Sequence, residues 1–214
     1  MNVFINPEIA TKYDLYYQTE IGNKVNQIEE KLVNDLLTNI PRTKMLELGC
    51  GTGHWTNFFL NKGYKVTATD ISDAMLQIAK QKNLKADFIK ADSSKIPFED
   101  NSFDIISSIT MLEFVEDQNK VLEEIHRVLK PRGYFILGSL NALSKIGKNK
   151  DQDDTFRDAK FLSKEELIFK LKLIGESSIL SGVYFSPNFE LLDNSSEIDT
   201  IEPAFFASLT QKTK

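Results

Sequence analysis

Apolar residues at Val25, Ile28, Leu32, Leu36 and Ile40 recur at steps of three and four. This spacing predicts one face of an amphipathic helix, stopped by Pro41. The segment before it, KYDLYYQTEIG, is aromatic and polar and reads as a shorter helix or a lid. From Lys44 the period changes. MLEL is a short strand, followed by a glycine-rich turn and a helix from Thr52 to Lys62. YKVTAT is a β-branched strand ending at Asp70. Ser72 is placed to cap a helix carrying Met75, Ile78 and Ala79. ADFIK is a third strand, ending at Ala91 and Asp92, and FDIISSI a fourth. Val121, Leu122, Ile125, Val128 and Leu129 mark another helix, closed by the Lys-Pro-Arg-Gly run at 130–133. YFILGSL is a fifth strand.

The remainder is less regular. Residues 141–160 are polar and charged without a clear period. Leu162, Ser163, Glu166 and Leu167 combine a capping box with a hydrophobic staple, so a helix starts there and ends near Gly175. SSILSGVYF and AFFASLTQK read as two final strands, separated by SPNFELLDNSSEIDTIEP. No internal repeat is visible.

Strands alternating with helices at this spacing predict an α/β domain with a mainly parallel sheet. Right-handed crossovers bring the strand C-termini to one edge, where ligands bind at the reversal of strand order. Glu47, Gly49, Asp70, Asp92 and Ile109 all fall at such ends. Residues far apart in sequence thus converge.

Composition narrows the classes. The 214 residues fit a single domain with a sizeable core. A net charge of −5 and the lack of a long basic run argue against broad binding to a phosphate backbone. One cysteine, Cys50, rules out an internal disulfide and suits a reducing compartment. It is expected to be a small buried side chain. The N-terminus does not read as a signal peptide, and no apolar run is long enough to span a bilayer. A cytoplasmic protein is expected, with no metal site and no membrane partner.

The turn, MLELGCGTGHW, carries the chemistry. Gly49, Gly51 and Gly53 stand at alternate positions. A dinucleotide fingerprint requires Gly-x-Gly-x-x-Gly, and here the third glycine comes one place early, with His54 following. A Walker A loop is excluded because no Gly-Lys-Ser/Thr follows. Asp70 is placed to accept both hydroxyls of a ribose, which does not separate one nucleotide-like ligand from another. Asp92, one strand further on, is suited to accept the N6 amino group of an adenine. Ile71 can lie against the adenine face.

LELGCGTG, the acid in TATDIS, the KADSSKIPFEDNSFDII block and the RVLKPRGYFIL segment together resemble the seven-stranded, class I S-adenosylmethionine-dependent methyltransferases, and most closely the type 11 group. The likeness runs from about Tyr13 to the C-terminus and is strongest over 44–140. It implies a Rossmann-like three-layer sandwich with sheet order 3-2-1-4-5-7-6, the last strand antiparallel. It implies a single domain with a helical lid over 1–40, a cofactor-binding core over 44–140, and substrate loops with the last two strands over 141–214. By resemblance, Gly49 and Gly51 close the backbone on the cofactor's amino-acid tail, with the Gly49 carbonyl taking its ammonium. Glu47 lies behind and offsets cationic charge. Tyr13 and Tyr17 cover the tail, and Thr52, Gly53, Ser93 and Thr110 complete the cofactor-contacting set. The cofactor would leave as S-adenosylhomocysteine.

No general base is evident. Glu113 is the best-placed acid, with Tyr17 the other catalytic candidate and Tyr13, Tyr17 and Arg157 candidates for substrate contact. Packing is the expected role of His54, and a structural or surface role that of His126. The loops at 141–160 and 186–202 should meet the substrate, and their few aromatics and balanced charges favour a small molecule over nucleic acid. A tRNA or protein methyltransferase, and a non-catalytic cofactor-binding subunit, stand as alternatives, with a cofactor-dependent dehydrogenase behind them. A monomer or homodimer is expected.

Overall fold

The computed structural model describes residues 3–192 and 198–213. Asn6 caps the first helix by accepting from the Glu8 amide, and Pro7 occupies its first turn, where a missing N–H costs nothing. That helix, α1 (Pro7–Tyr13), is separated by Asp14 from α2 (Leu15–Gln18). Thr19 then caps α3 (Glu20–Leu37). The core follows as β1 (Lys44–Leu48), α4 (His54–Asn61), β2 (Lys65–Asp70), α5 (Asp73–Gln81), β3 (Asp87–Lys90), β4 (Phe103–Ile109), α6 (Gln118–Val128) and β5 (Leu129–Leu140). The chain closes with α7 (Lys145–Lys148), α8 (Lys164–Leu171), β6 (Gly175–Gly182) and β7 (Phe205–Lys212).

The seven strands form one sheet in the order β3-β2-β1-β4-β5-β7-β6. All neighbours are parallel except β7, which runs antiparallel to both β5 and β6. This is the predicted topology, and its two-residue side-chain period divides the core in two. Met45, Ile105, Ile136 and Phe205 face the cluster that contains Val25, Val33 and Leu37 of α3 and Phe59 of α4. Leu46, Ile106, Phe135, Leu137 and Phe206 face the opposite cluster, with Val121, Leu122 and Ile125 of α6 and Leu167 of α8. A strand buried on both faces is apolar at successive positions, as ML, II and FF are here.

Several boundaries differ from the sequence reading. The long helix stops at Leu37 rather than Ile40. Proline disfavours helical backbone at the residue before it. Arg42 then collects the freed carbonyls of Leu37 and Ile40 through Nη1, and its guanidinium lies 5.2 Å from the Tyr64 ring centroid. The helix after the glycine turn starts at His54, not Thr52, because Gly53 takes a left-handed cap conformation. The Lys-Pro-Arg-Gly run does end α6, but the chain passes straight into β5 through an irregular register between Phe103 and Ile105. The 141–160 connection, read as aperiodic, holds α7 and a single 3-10 turn at Lys150–Gln152. The capping box forms as read, with Ser163 and Glu166 bonding each other's backbone amides. Of the 186–202 loop, residues 193–197 lie outside the described residues. Among the described residues, no helix is long and apolar enough to cross a membrane.

Candidate active site

The glycine turn is built by backbone strain and a close approach. Gly49, Gly51 and Gly53 have φ of 69°, 53° and 84°, conformations that favour glycine. A Cβ on Gly49 would lie 2.2 Å from Cγ of Met111, so that position also lacks room for a side chain. The turn is stitched to the end of β2. The Gly51 amide donates to Asp70 Oδ2 at 2.8 Å, the Ser72 amide to Asp70 Oδ1 at 2.8 Å, and the Cys50 amide to the Thr69 carbonyl at 2.9 Å. Asp70 therefore sets the shape of the turn while keeping lone pairs to offer. Burial raises its pKa, against the lowering effect of these amide donors.

A cavity of about 980 Å³ opens at this edge of the sheet. That volume sits at the upper end of the roughly 300–1,000 Å³ usual for small-ligand sites. Of the sequence-predicted residues, Tyr13, Gly49, Gly51, Asp70, Ile71, Asp92, Ser93 and Thr110 line it. They come from α1 and from the ends of β1, β2, β3 and β4. Ile71 is 42% exposed, an apolar side chain left uncovered at the cavity wall. Asp92 is exposed, and its Oδ1 accepts from the Ser94 amide at 2.8 Å. Thr110 has a φ of 49°, a strained value for a β-branched residue, and its amide donates to the Gly138 carbonyl.

Other candidates stand behind this wall. Glu47 is 2% exposed and accepts from Thr56 Oγ1 at 2.6 Å. Burial pushes its carboxyl up to about 8. Thr52 is buried and donates from Oγ1 to Asp14 at 2.6 Å, and Gly53 packs close to Leu84 and Ala79. Glu113 is 2% exposed, and its Oε1 accepts from the Leu140 amide at 2.7 Å. Burial raises it to about 7. Tyr17 stacks on His54 at 3.7 Å between centroids and donates to the Tyr13 hydroxyl at 3.4 Å. His54 also bonds Asn26 Oδ1 at 2.7 Å, and burial first, then Lys82, lowers it to about 4. It is neutral and packed at physiological pH. Arg157, read as a substrate contact, instead pairs with Asp154 at 2.6 Å on the exposed surface. Cys50 is 5% exposed, and burial raises its thiol.

Sequence reasoning missed several wall residues. Phe4 packs edge-on against Tyr13 at 5.7 Å and Phe114 at 4.8 Å, roofing the cavity with aromatic rings. Met111 fills the space that Gly49 leaves. Thr155, Asp158 and Lys160, not named individually, lie in the 141–160 loop expected to meet the substrate and bring that connection to the wall. Asp14 was also missed. It ties the lid to the turn through Thr52 and to α5's end through Lys82 at 2.6 Å. No local pattern marks these residues, because each acquires its role from a partner distant in sequence.

Residues 46–137 match the family model for a methyltransferase domain. An uncharacterised protein of Methanocaldococcus jannaschii is 35% identical over 183 residues, covering 84% of this chain and 83% of that one. A malonyl-[acyl-carrier protein] O-methyltransferase of Hamiltonella defensa is 31% identical, covering 70% of this chain, which spans 56% of that relative's length. Among solved structures, an S-adenosylmethionine-dependent methyltransferase of Thermotoga maritima, described as a possible histamine N-methyltransferase, superposes with a TM-score of 0.77. It is 24% identical and covers 98% of each chain, a likeness that shows the fold. Glycine turn, strand order and sequence likeness agree, and the chain belongs to the class I, seven-stranded S-adenosylmethionine-dependent methyltransferases.

Proposed function

We propose that this protein methylates a small-molecule acceptor held between the glycine turn and the aromatic roof. The observation that carries this reading is the enclosure of the cavity by Phe4, Tyr13 and Phe114 over the ends of β1 and β4. A roof pinned by Asp14 suits an acceptor that is swallowed whole better than a polymer lying across the edge. The described wall of the β5–β6 connection presents Asp158 as well as Lys160, a mixed charge unlike a phosphate-binding groove.

The residues present fit the cofactor. Neither Gly49 nor Gly51 carries a side chain to obstruct an amino-acid tail; the space beside Gly49 is taken by Met111, while a Cβ on Gly51 would meet only Met75 and Tyr13, at 4.0 Å. Asp70 and Asp92 supply acceptors at successive strand ends, suited to ribose hydroxyls and an adenine amino group. Ile71 offers an apolar face between them. Ser93 and Thr110 lie beside the same wall. Bound S-adenosylmethionine supplies a methyl group already activated by a positive sulfur. The chain's task is then to position the acceptor and exclude water. Glu47, uncharged at neutral pH in its buried place, is able to ionise when positive charge arrives nearby.

The test is transfer of labelled methyl from S-adenosylmethionine into a fractionated cell extract. Label in the low-molecular-weight fraction is the expected outcome. Stable label on RNA or protein, with none on small molecules, would overturn the proposal.

A further inference from the structure

The strand order gives the cavity two ends. The glycine turn, Asp70 and Asp92 line the end over β1, β2 and β3, which the cofactor reading fills. The end over β4 and β5 is lined by two irregular segments. One is the turn after β4, which opens with a single 3-10 turn at Leu112–Phe114 and presents Phe114 and Glu116. The other is the β5–β6 connection, which presents Thr155 and Asp158. Neither lining stretch belongs to the sheet, and loops of this kind are ordinarily among the most mobile parts of a domain.

Here the two segments are bound to each other. Gln118, the first residue of α6, is buried. Its Nε2 donates to the Leu112 carbonyl at 3.2 Å in the first segment and to the Lys160 carbonyl at 2.9 Å in the second, 42 residues away. A side-chain amide nitrogen carries two hydrogens, and both are used. Lys160 returns the tie. Its backbone amide donates to the Glu113 carbonyl at 2.7 Å, and its ammonium donates to the Glu116 carbonyl at 2.5 Å. The rings of Phe114 and Phe156 add a contact between the same segments, with centroids 6.2 Å apart. The Lys160 charge is thus committed to a carbonyl and ties the wall. An apolar residue at 118 would be buried at less cost, but it would leave two loop carbonyls without their donor.

We propose that Gln118 is a positioning residue for methyl transfer: through Leu112 and Lys160 it sets the separation of the two loop walls that hold the acceptor. This rests on the methyltransferase reading above and deepens it by naming the residue that shapes the acceptor end. Gln118 is not part of the cavity wall and acts through Phe114, Glu116 and Asp158, which are. Fixed walls matter because a displacement of about 1 Å at the reacting groups costs roughly a hundredfold in rate.

The test compares Q118M and Q118E with the parent in transfer of labelled methyl from S-adenosylmethionine to the low-molecular-weight fraction of a cell extract. Q118M keeps the length of the side chain and removes both donors. Its initial slope of rate against amount of fraction should fall at least about fivefold, the loss expected for one hydrogen bond. Its affinity for S-adenosylhomocysteine, read by calorimetry, should stay within about twofold of the parent, which also shows that the variant folds. Q118E aims a carboxylate at two carbonyl oxygens when ionised and regains one donor when protonated. Its slope relative to that of Q118M should therefore rise as pH falls from about 8 to about 6, a dependence that a merely structural role would not produce. Amide exchange is the second arm. The Lys160 amide should exchange faster in Q118M while β1 and β4 stay protected. An unchanged slope in Q118M, a Q118E ratio flat with pH, a slope and S-adenosylhomocysteine affinity that fall together, or unaltered exchange at Lys160 would overturn the proposal. Absence of transfer by the parent would count against the small-molecule reading instead, and the exchange arm would still decide whether Gln118 couples the walls.

Discussion

Gly49 carries two constraints, a left-handed φ and the side chain of Met111 in the space where its own Cβ would stand. Gly49→Ala should therefore cost about 2–4 kcal/mol of stability, combining left-handed strain with overpacking. Met111→Ala in the same chain should recover part of this loss in thermal unfolding, since it removes the clash and leaves the φ penalty. Glu47 makes a different prediction. Its carboxyl is raised by burial from 4.5 to about 8, so the folded state keeps a proton that the unfolded chain gives up. Stability from this group is complete below the unfolded value and is lost as pH rises toward about 8. Glu29 and Glu113 are raised in the same direction. The unliganded protein should lose melting temperature between pH 5 and pH 8, and Glu47→Gln should lose less over that range. A slope unchanged by the substitution would show that Glu47 does not titrate there.

The first two helices, α1 and α2, are tied to the glycine turn and to α5 through Asp14, which makes the 3–18 segment an element that can be loosened alone. Asp14 joins it to buried Thr52 and to Lys82. Asp14→Ala should raise amide exchange over 3–18 and weaken cofactor binding about fivefold, as expected for roughly 1 kcal/mol of lost hydrogen bonding, while the core strands stay protected. Elements were legible in the sequence where a local pattern dictated them. The short apolar run of MLEL, the Ser72 cap and the Ser163–Glu166 box all reflect short-range physics. The end of α3 was misplaced because Arg42, which gathers the freed carbonyls, acts through a tertiary position. The start of β5 was missed because proline and glycine mark a helix stop as well as they mark an irregular strand. Strand ends named Asp70 and Asp92, since topology alone carries them to one edge. It could not name Phe4, Met111 or Asp14, whose partners are remote, nor separate Glu113, behind the wall, from Phe114 in it.

At the scale of the whole molecule, the reversal of strand order between β1 and β4 places the glycine turn beside the ends of β2 and β3. Neighbouring crossovers leave that edge in opposite directions, and the crevice between them becomes the cavity. The sheet then supplies rigidity, and the lid and the β5–β6 connection supply enclosure. The central claim is that this edge holds S-adenosylmethionine through the turn and Asp70. The most direct measurement is calorimetric titration of the purified protein with S-adenosylmethionine, S-adenosylhomocysteine and NAD, beside Asp70→Ala. The account predicts micromolar binding of the first two, none of NAD, and a loss of about tenfold or more in the variant, since hydrogen bonds to a charged group are worth roughly 1.5–3 kcal/mol. Binding of NAD alone, or affinities for the first two unchanged by Asp70→Ala, would contradict it.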